Sequence, residues 1–136
     1  ATLAIGGHPM TTESGRFFEP TIFEGVKPDM TIAKEEVIGP VLSAIEFESV
    51  EKAIEIANST AYGLSAGVWT RDTDTAFRMA RGIRAGTIWI NSFMDGYPEL
   101  SFGGYKESGL GRERGHGGDS GVRRRRCRTH DTDSGD

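Results

Sequence analysis

A glycine-rich segment near the end of the chain carries the residue types most suited to binding chemistry. Residues 102–112 contain four glycines, interleaved with phenylalanine, tyrosine, lysine, serine and leucine. Glycine permits backbone conformations and close approaches that a Cβ atom would block. A flexible linker would be poor in large apolar residues. The sequence therefore predicts an ordered loop whose backbone lies close to a partner group.

Residue types that form metal sites or nucleophiles are sparse. The chain has one cysteine, Cys127, and three widely separated histidines, His8, His116 and His130. A single cysteine excludes an internal disulfide framework, and these residues do not have the spacing of a zinc site. We interpret the histidines as surface residues.

Composition and charge exclude several classes of protein. The 136 residues carry a net charge of −4, and the part up to Arg112 has ten Lys and Arg against fifteen Asp and Glu. This acidic balance argues against nonspecific nucleic-acid binding by that part. No run approaches the roughly 18 apolar residues of a membrane span, and residues 1–7 lack the features of a signal peptide. We expect a cytoplasmic protein with no membrane partner. The first residue is Ala1 and not methionine, which is consistent with a fragment of a longer protein.

Hydrophobic periodicity predicts alternating strands and helices. Apolar residues at i, i+3, i+4 and i+7 after Ser49, a good N-cap, indicate one helix. A second helix begins at Asp72 or Thr73, ends at Gly86 and has Phe77 on its apolar face. Residues 17–26 read as a short extended segment in which Pro20 favours an edge or the start of a strand. Strands are expected over 41–47, 64–70 and 87–90.

The order of these elements points to a fold class. From residue 41 onward it is strand, helix, strand, helix, strand, which predicts an α/β fold with a partial, open parallel sheet and crossover helices. Ligands of such sheets bind beyond the carboxyl ends of the strands. Asn91 begins a loop at one such end, and this loop continues into the glycine-rich segment.

Four motifs occur in the order found in the NAD(P)-dependent aldehyde dehydrogenases. They are residues 34–41, 58–63, 86–91 and 102–113. Residues 1–115 resemble the C-terminal part of the catalytic domain of these enzymes, and are most similar to the betaine-aldehyde dehydrogenase-like members. The resemblance implies a fragment of an oxidoreductase that oxidises an aldehyde, such as betaine aldehyde, with NAD or NADP.

The resemblance also implies what the chain lacks. In this family a cysteine attacks the aldehyde, hydride passes to the nicotinamide, and a glutamate activates the water that hydrolyses the thioester. Both residues lie upstream of the region that this chain resembles, and Cys127 lies beyond every motif. We therefore expect no catalytic residue in this chain and no aldehyde oxidation by the chain alone.

Two residues match cofactor-binding positions of the family. Glu36 corresponds to the glutamate that accepts hydrogen bonds from the nicotinamide ribose, a task that suits a carboxylate. The alternative is a solvated surface glutamate. Ile38 corresponds to a residue, commonly phenylalanine, that packs near the nicotinamide, and the alternative is ordinary core packing.

Three residues match the lining of the aldehyde tunnel. They are Asn91, Phe93 and Phe102, and for Phe102 the alternative is packing in the core. Trp89 alternates within a strand and is expected in the core. The variable residues 94–98 are expected to influence the choice of aldehyde.

The resemblance implies a metal site and an assembly. In betaine-aldehyde relatives, backbone carbonyls near this turn bind potassium between subunits, and Lys106 and Gly109 occupy those positions. The family forms oligomers through a helix and a strand that follow the glycine-rich segment. We expect this homo-oligomer to be impaired here, because residues 116–136 show neither pattern and read as an atypical, disordered tail.

The tail permits two interpretations. Residues 123–128 hold five arginines in six positions, which suits a basic tail that binds nucleic acid or another anion, although four aspartates flank them. A shifted reading frame would equally produce arginine and glycine in excess, and we favour it. An alternative to the enzyme fragment is accordingly a noncatalytic interaction module, or anion binding through the tail.

Overall fold

The computed structural model describes residues 1–12 and 15–115. Within them the chain forms nine strands and three helices. It divides into two compact units, the first spanning Ala1–Thr60 and the second beginning at Ala61. Each unit has its own small set of buried residues.

The first unit is built mainly from short strands. Its elements are β1 (Thr2–Ile5), β2 (Pro9–Thr12), β3 (Gly15–Phe18), β4 (Thr21–Glu24), α1 (Thr31–Lys34), β5 (Val41–Ser43) and α2 (Val50–Asn58). Strand β4 is central in a three-stranded sheet, antiparallel to β1 and parallel to β5. Strands β2 and β3 form a separate antiparallel hairpin.

Helix α2 follows the predicted pattern. The Ser49 hydroxyl caps it by accepting a hydrogen bond from the Lys52 backbone N–H at 3.1 Å. Ala53, on the predicted apolar face, is buried. The exposed Lys52–Glu55 ion pair, at 2.7 Å, adds little, because solvent screens it. Burial of the apolar face therefore holds this helix more than surface charge does.

One of the two extended segments predicted in this unit was too long. Segment 17–26 contains the end of β3 and all of β4, which begins at Thr21 directly after Pro20, where a strand start was expected. The strand predicted over 41–47 ends at Ser43. Its partner β4 ends one residue before Gly25, whose φ of +61° turns the backbone out of the extended conformation. The backbone pairing accordingly stops at Ala44, whose N–H donates to the Phe23 carbonyl and whose carbonyl accepts from the Val26 N–H.

The second unit contains the predicted strand–helix–strand unit. Its elements are β6 (Tyr62–Gly63), β7 (Ser65–Val68), α3 (Thr73–Gly82), β8 (Thr87–Ile90) and β9 (Tyr105–Lys106). Strands β7 and β8 are parallel, with Ser65 opposite Thr87 and Val68 opposite Ile90, and α3 connects them. The short strands β6 and β9 are antiparallel.

The buried hydrophobic residues of the second unit come from α3, the residue after it and both faces of the β7–β8 pair, since Trp89 lies opposite Gly67 and Val68 lies opposite Ile90. Val68, Ala76, Ile83 and Trp89 are buried, which confirms the core position predicted for Trp89. The prediction that Phe77 lies on the apolar face was wrong, because 53% of Phe77 is exposed. Ala76 and Ile83 are seven residues apart and share one face, and each step along a helix rotates the side chain by about 100°.

The α/β fold class is confirmed, with partial sheets and two parallel strand pairs, β4–β5 and β7–β8. Of the helices in the described ranges, none combines the length and the apolar composition needed to cross a membrane. The predicted disordered tail, residues 116–136, lies outside the described residues.

The cap of α3 should make stability depend on pH. Hydrogen bonds from Thr75 lower the pKa of the Asp72 carboxyl from its usual 3.8. The larger effect comes from the Thr75 side chain and the next from its backbone N–H, which lies 2.7 Å from Asp72 Oδ2. A carboxyl whose pKa is lower in the folded state than in the unfolded state stabilises the fold at pH values above its unfolded-state pKa. This stabilisation is lost as the pH falls through the folded-state pKa. Asparagine can still cap a helix but has no carboxyl to protonate. We therefore expect the melting temperature to fall less in Asp72→Asn than in the parent when the pH is lowered from about 7 to about 3.

The measurement is thermal unfolding followed by circular dichroism at the two pH values. Asp74→Asn is the matched control, because Asp74 lies in the first turn of the same helix but is not its cap. Equal acid-induced losses in the parent and in Asp72→Asn would show that the cap charge does not contribute.

Candidate functional site

A side-chain amide joins the carboxyl ends of β7 and β8. The Asn91 Oδ1 atom accepts from the Thr70 backbone N–H at 2.9 Å, and Asn91 Nδ2 donates to the Thr70 carbonyl at 2.9 Å. The Asn91 backbone N–H donates to the Val68 carbonyl at 2.8 Å. Asn91 itself has φ +52°, a left-handed conformation in which asparagine is enriched. We call this pair of side-chain bonds the Asn91 clamp.

Three aromatic rings follow one another beside this clamp. The Phe93 ring meets Trp89 edge-on, with centroids 5.1 Å apart and an interplanar angle of 64°. It also contacts Trp69, with centroids 6.4 Å apart. Both arrangements lie within the range that aromatic pairs prefer. These three residues form a continuous aromatic row at the carboxyl end of the strand pair.

The loop that leaves Asn91 encloses a cleft of about 460 Å³. Its walls are formed by Gly86, by residues 87–89 of β8, by loop residues 94–97 and 100–102, and by Arg114. The Trp89 indole N–H donates to the Asp95 carbonyl at 2.7 Å, which fixes the loop to β8. The cleft lining contains no cysteine and no histidine, so the described residues there supply walls and not a nucleophile.

The glycine-rich loop closes back on the strands, as its composition predicted. Phe102 and Glu113 exchange two backbone hydrogen bonds of 2.7 Å. A Cβ atom added to Gly86 would collide with the carbonyl oxygen of Gly103. The predicted close backbone approach is therefore confirmed, and its partner is the residue just before β8.

An arginine holds the turn of the loop. Arg112 Nη1 donates to the Gly104 carbonyl at 2.9 Å and to the Gly111 carbonyl at 2.7 Å. Its guanidinium lies 5.2 Å from the centroid of the Tyr105 ring, a cation–π distance. Each contact ties one part of the loop to another, so Arg112 makes the loop rigid.

Lys106 lies inside a tight turn over residues 105–108 and Gly109 directly follows it, and these are the residues predicted to bind potassium. The turn is closed by the Ser108 N–H, which donates to the Tyr105 carbonyl at 3.2 Å. Lys106 has φ +53° and Gly109 has φ +115°. Within the described ranges, no group of three or more His, Cys, Asp or Glu side chains is arranged to hold a metal ion. Any cation here would be coordinated by backbone carbonyl oxygens, which are suitable ligands for a hard cation.

Glu36 and Ile38 lie in the first unit, in the irregular segment between α1 and β5. Among the described residues Glu36 forms no ion pair, so both of its carboxylate oxygens can accept hydrogen bonds. Ile38 is 93% exposed, so it does not pack in the core of this unit. Both side chains are therefore open to solvent in this unit.

The structure brings together the predicted residues of the second unit and adds others. Asn91 and Phe93 begin the loop that encloses the cleft, and Phe102, which is half-buried, lines that cleft. Sequence analysis did not single out Trp69 or Gly67. A glycine two residues before a tryptophan in a strand, on the same face of the sheet, was the available signal.

Comparison with known proteins gives consistent matches. Residues 1–122 match the model of the aldehyde dehydrogenase family. A mitochondrial benzaldehyde dehydrogenase of Antirrhinum majus is 49% identical over 115 residues, which are 85% of this chain and 21% of that protein. A betaine aldehyde dehydrogenase of Brucella anthropi is 49% identical over 118 residues, covering 85% of this chain and 24% of that protein.

A solved structure gives the same result. The crystal structure of an NAD-dependent aldehyde dehydrogenase from Sinorhizobium meliloti matches with a TM-score of 0.81 and 52% identity, covering 85% of this chain and 23% of that one. The chain thus spans less than a quarter of the length of each of these proteins.

Proposed function

Because the chain belongs to the aldehyde dehydrogenase family, we propose that it forms the C-terminal part of a catalytic domain that oxidises an aldehyde to the carboxylic acid with NAD or NADP. The observation that carries the proposal is the cleft at the carboxyl end of β7 and β8, bordered by Phe102 and the loop from Asn91. NAD is favoured, since the matched Sinorhizobium enzyme is NAD-dependent.

The names of two relatives and the aromatic residues beside the cleft support a class of aldehyde. Two relatives of equal identity are named for benzaldehyde and for betaine aldehyde, which differ in charge and shape. Aromatic faces accept both a flat ring and a quaternary ammonium. We therefore propose aldehydes with an aromatic or cationic side group, betaine aldehyde among them, with Phe93 and Phe102 along the passage.

Within this proposal the chain positions reactants and does not attack them. When bound, the nicotinamide cofactor accepts the hydride that leaves the aldehyde carbon. Glu36 would accept hydrogen bonds from the ribose hydroxyls, and Ile38 would give the cofactor an apolar contact. Phe93 and Phe102 would orient the side group of the aldehyde, which is how binding geometry raises a reaction rate.

Potassium is a second proposed ligand of the family fold. The carbonyl groups of Lys106 and Gly109 would supply part of its oxygen shell, with the remaining ligands from a second subunit of a homo-oligomer. This assignment rests on the resemblance of the turn to the one in betaine-aldehyde relatives.

A graft tests the proposed function. In the graft enzyme, residues 1–115 replace the 52% identical segment of the Sinorhizobium aldehyde dehydrogenase. We expect the graft enzyme to form NADH from benzaldehyde or betaine aldehyde, and we expect the 136-residue chain alone to form none, measured by absorbance. A graft enzyme that is folded by circular dichroism but oxidises neither aldehyde would contradict the proposal, and turnover by the chain alone would contradict its lack of a nucleophile.

The cofactor role of Glu36 gives a separate prediction. Glu36→Gln in the graft enzyme removes the charge from two hydrogen bonds, and a hydrogen bond to a charged group contributes about 1.5–3 kcal/mol. We expect the KM for NAD⁺ to rise roughly 10- to 100-fold with little change in the KM for the aldehyde. Glu35→Gln, the exposed neighbour, is the control and should behave like the parent. Equal effects of the two variants would rule out a specific ribose contact.

A further inference from the structure

Trp69 is a large apolar residue whose packing is unusual. It follows the end of β7 and is 64% exposed. Its indole lies over Gly67, because a Cβ atom on Gly67 would collide with the ring at Cζ3 and come within 2.7 Å of Cη2. The missing side chain of Gly67 therefore provides the space that the indole occupies.

The indole also contacts Phe93, and both rings border Gly67, because the Phe93 Cδ2 atom would lie 3.5 Å from a Cβ atom on that glycine. The two ring centroids are 6.4 Å apart at an interplanar angle of 38°. Phe93 is itself 57% exposed, so burial does not fix its ring. The ring is held between Trp69 and the buried Trp89, which is tied to the Asp95 carbonyl through its indole N–H.

The strand pair fixes the backbone on both sides of the indole. Gly67 lies directly opposite Trp89 in the parallel register of β7 and β8. One residue after Trp69, the Asn91 clamp joins Thr70 to the residue that begins the loop. The edge of the Phe93 ring already lies beside Gly67, and the Trp69 indole occupies the remaining space over this glycine and limits further movement of the ring in that direction.

We propose that Trp69 is a positioning residue that sets the place of the Phe93 ring and through it the width of the aldehyde passage. The inference rests on the proposed function, in which Phe93 lines that passage. Without the indole, the Phe93 ring can tilt into the space above Gly67, which widens the passage. Trp69 consequently determines how bulky a side group the aldehyde can carry.

The test measures selectivity in the graft enzyme. We compare kcat/KM for benzaldehyde, a wide substrate, with kcat/KM for propanal, a narrow one, in the parent, Trp69→Phe and Trp69→Ala. We expect the benzaldehyde-to-propanal ratio to rise about tenfold in Trp69→Ala, at the lower end of what a change in pocket shape gives, and less in Trp69→Phe. The KM for NAD⁺ should not change. Phe77→Ala, which truncates a half-exposed aromatic residue on α3, should leave the ratio unchanged.

Crystal structures of the same variants separate this inference from the proposed function. A Phe93 ring that stays in place in Trp69→Ala, with an unchanged ratio, would overturn the inference. A ring that moves while the ratio stays constant would support the positioning of Phe93 by Trp69 and would instead contradict the role of Phe93 in the passage. A loss of both kcat/KM values by the same factor, in Trp69→Phe as well as Trp69→Ala, would also overturn the inference, because it shows a purely structural role.

Discussion

Replacing Gly86 with alanine should lower the free energy of unfolding by about 3 kcal/mol, the upper end of the usual cost of overpacking. The added Cβ atom would collide with the carbonyl oxygen of Gly103 and lie 2.8 Å from its carbonyl carbon and 3.3 Å from the Cα of Gly104. All three are backbone atoms, so no change of rotamer can relieve the contact. The measurement is urea unfolding of the chain followed by circular dichroism.

The loop above Gly86 has little freedom to retreat. Phe102 and Glu113 hold it with two backbone hydrogen bonds of 2.7 Å, and Arg112 binds the Gly104 carbonyl. A control variant in the same unit is Gly96→Ala, whose Cβ would approach only the flexible end of Arg114, at 3.5 Å. We expect that variant to change stability by less than about 0.5 kcal/mol. Similar losses in both variants would mean that the loop adapts to the added methyl group.

The glycine-rich loop shows where sequence reasoning succeeds and where it stops. Composition predicted a close backbone approach, and the structure confirms it. The partner Gly86 was interpreted instead as the glycine that ends the second helix. Helix α3 already ends at Gly82, and Gly86 is needed for packing against Gly103. A glycine required by a helix end and one required by a distant backbone contact look the same in a sequence.

The fold was predictable where one face of an element is buried. Helix α3 buries Ala76, with buried Ile83 directly after its last residue, and β8, which buries Trp89, was predicted at Thr87–Ile90, the limits that it has in the structure. Strand β1 is exposed along its whole length, and the described residues of the β2–β3 hairpin are exposed as well. Without a buried face, a four-residue strand leaves no alternation of polar and apolar residues for a pattern to detect.

The site was predictable as a region but not as a set of contacts. The motifs placed Asn91, Phe93 and Phe102 in one region, and the structure puts the first two at the start of the loop around the cleft and Phe102 in its wall. The partners of these side chains are far away in the chain: Asn91 binds Thr70, 21 residues earlier. The cofactor-binding roles of Glu36 and Ile38 stay predictions, because the sequence does not reveal how a bound cofactor contacts these side chains.

Leucine in place of Asn91 should lower the free energy of unfolding by about 3 kcal/mol. The change removes two hydrogen bonds to Thr70, which contribute about 1 kcal/mol each. It also forces leucine into the left-handed conformation that Asn91 adopts with φ +52°, at roughly 1 kcal/mol more. The measurement is again urea unfolding, with the midpoint and the slope compared with those of the parent.

Asn91→Gly separates the two causes, because glycine accepts the positive φ but cannot form the clamp. We expect it to cost about 2 kcal/mol, the hydrogen-bond part alone. If Asn91 instead acts by contacting the aldehyde, both variants should keep the stability of the parent while the graft enzyme loses kcat/KM for every aldehyde. A loss of stability in both variants, larger for leucine than for glycine, would establish that Asn91 supports the site by joining β7 to β8 through Thr70.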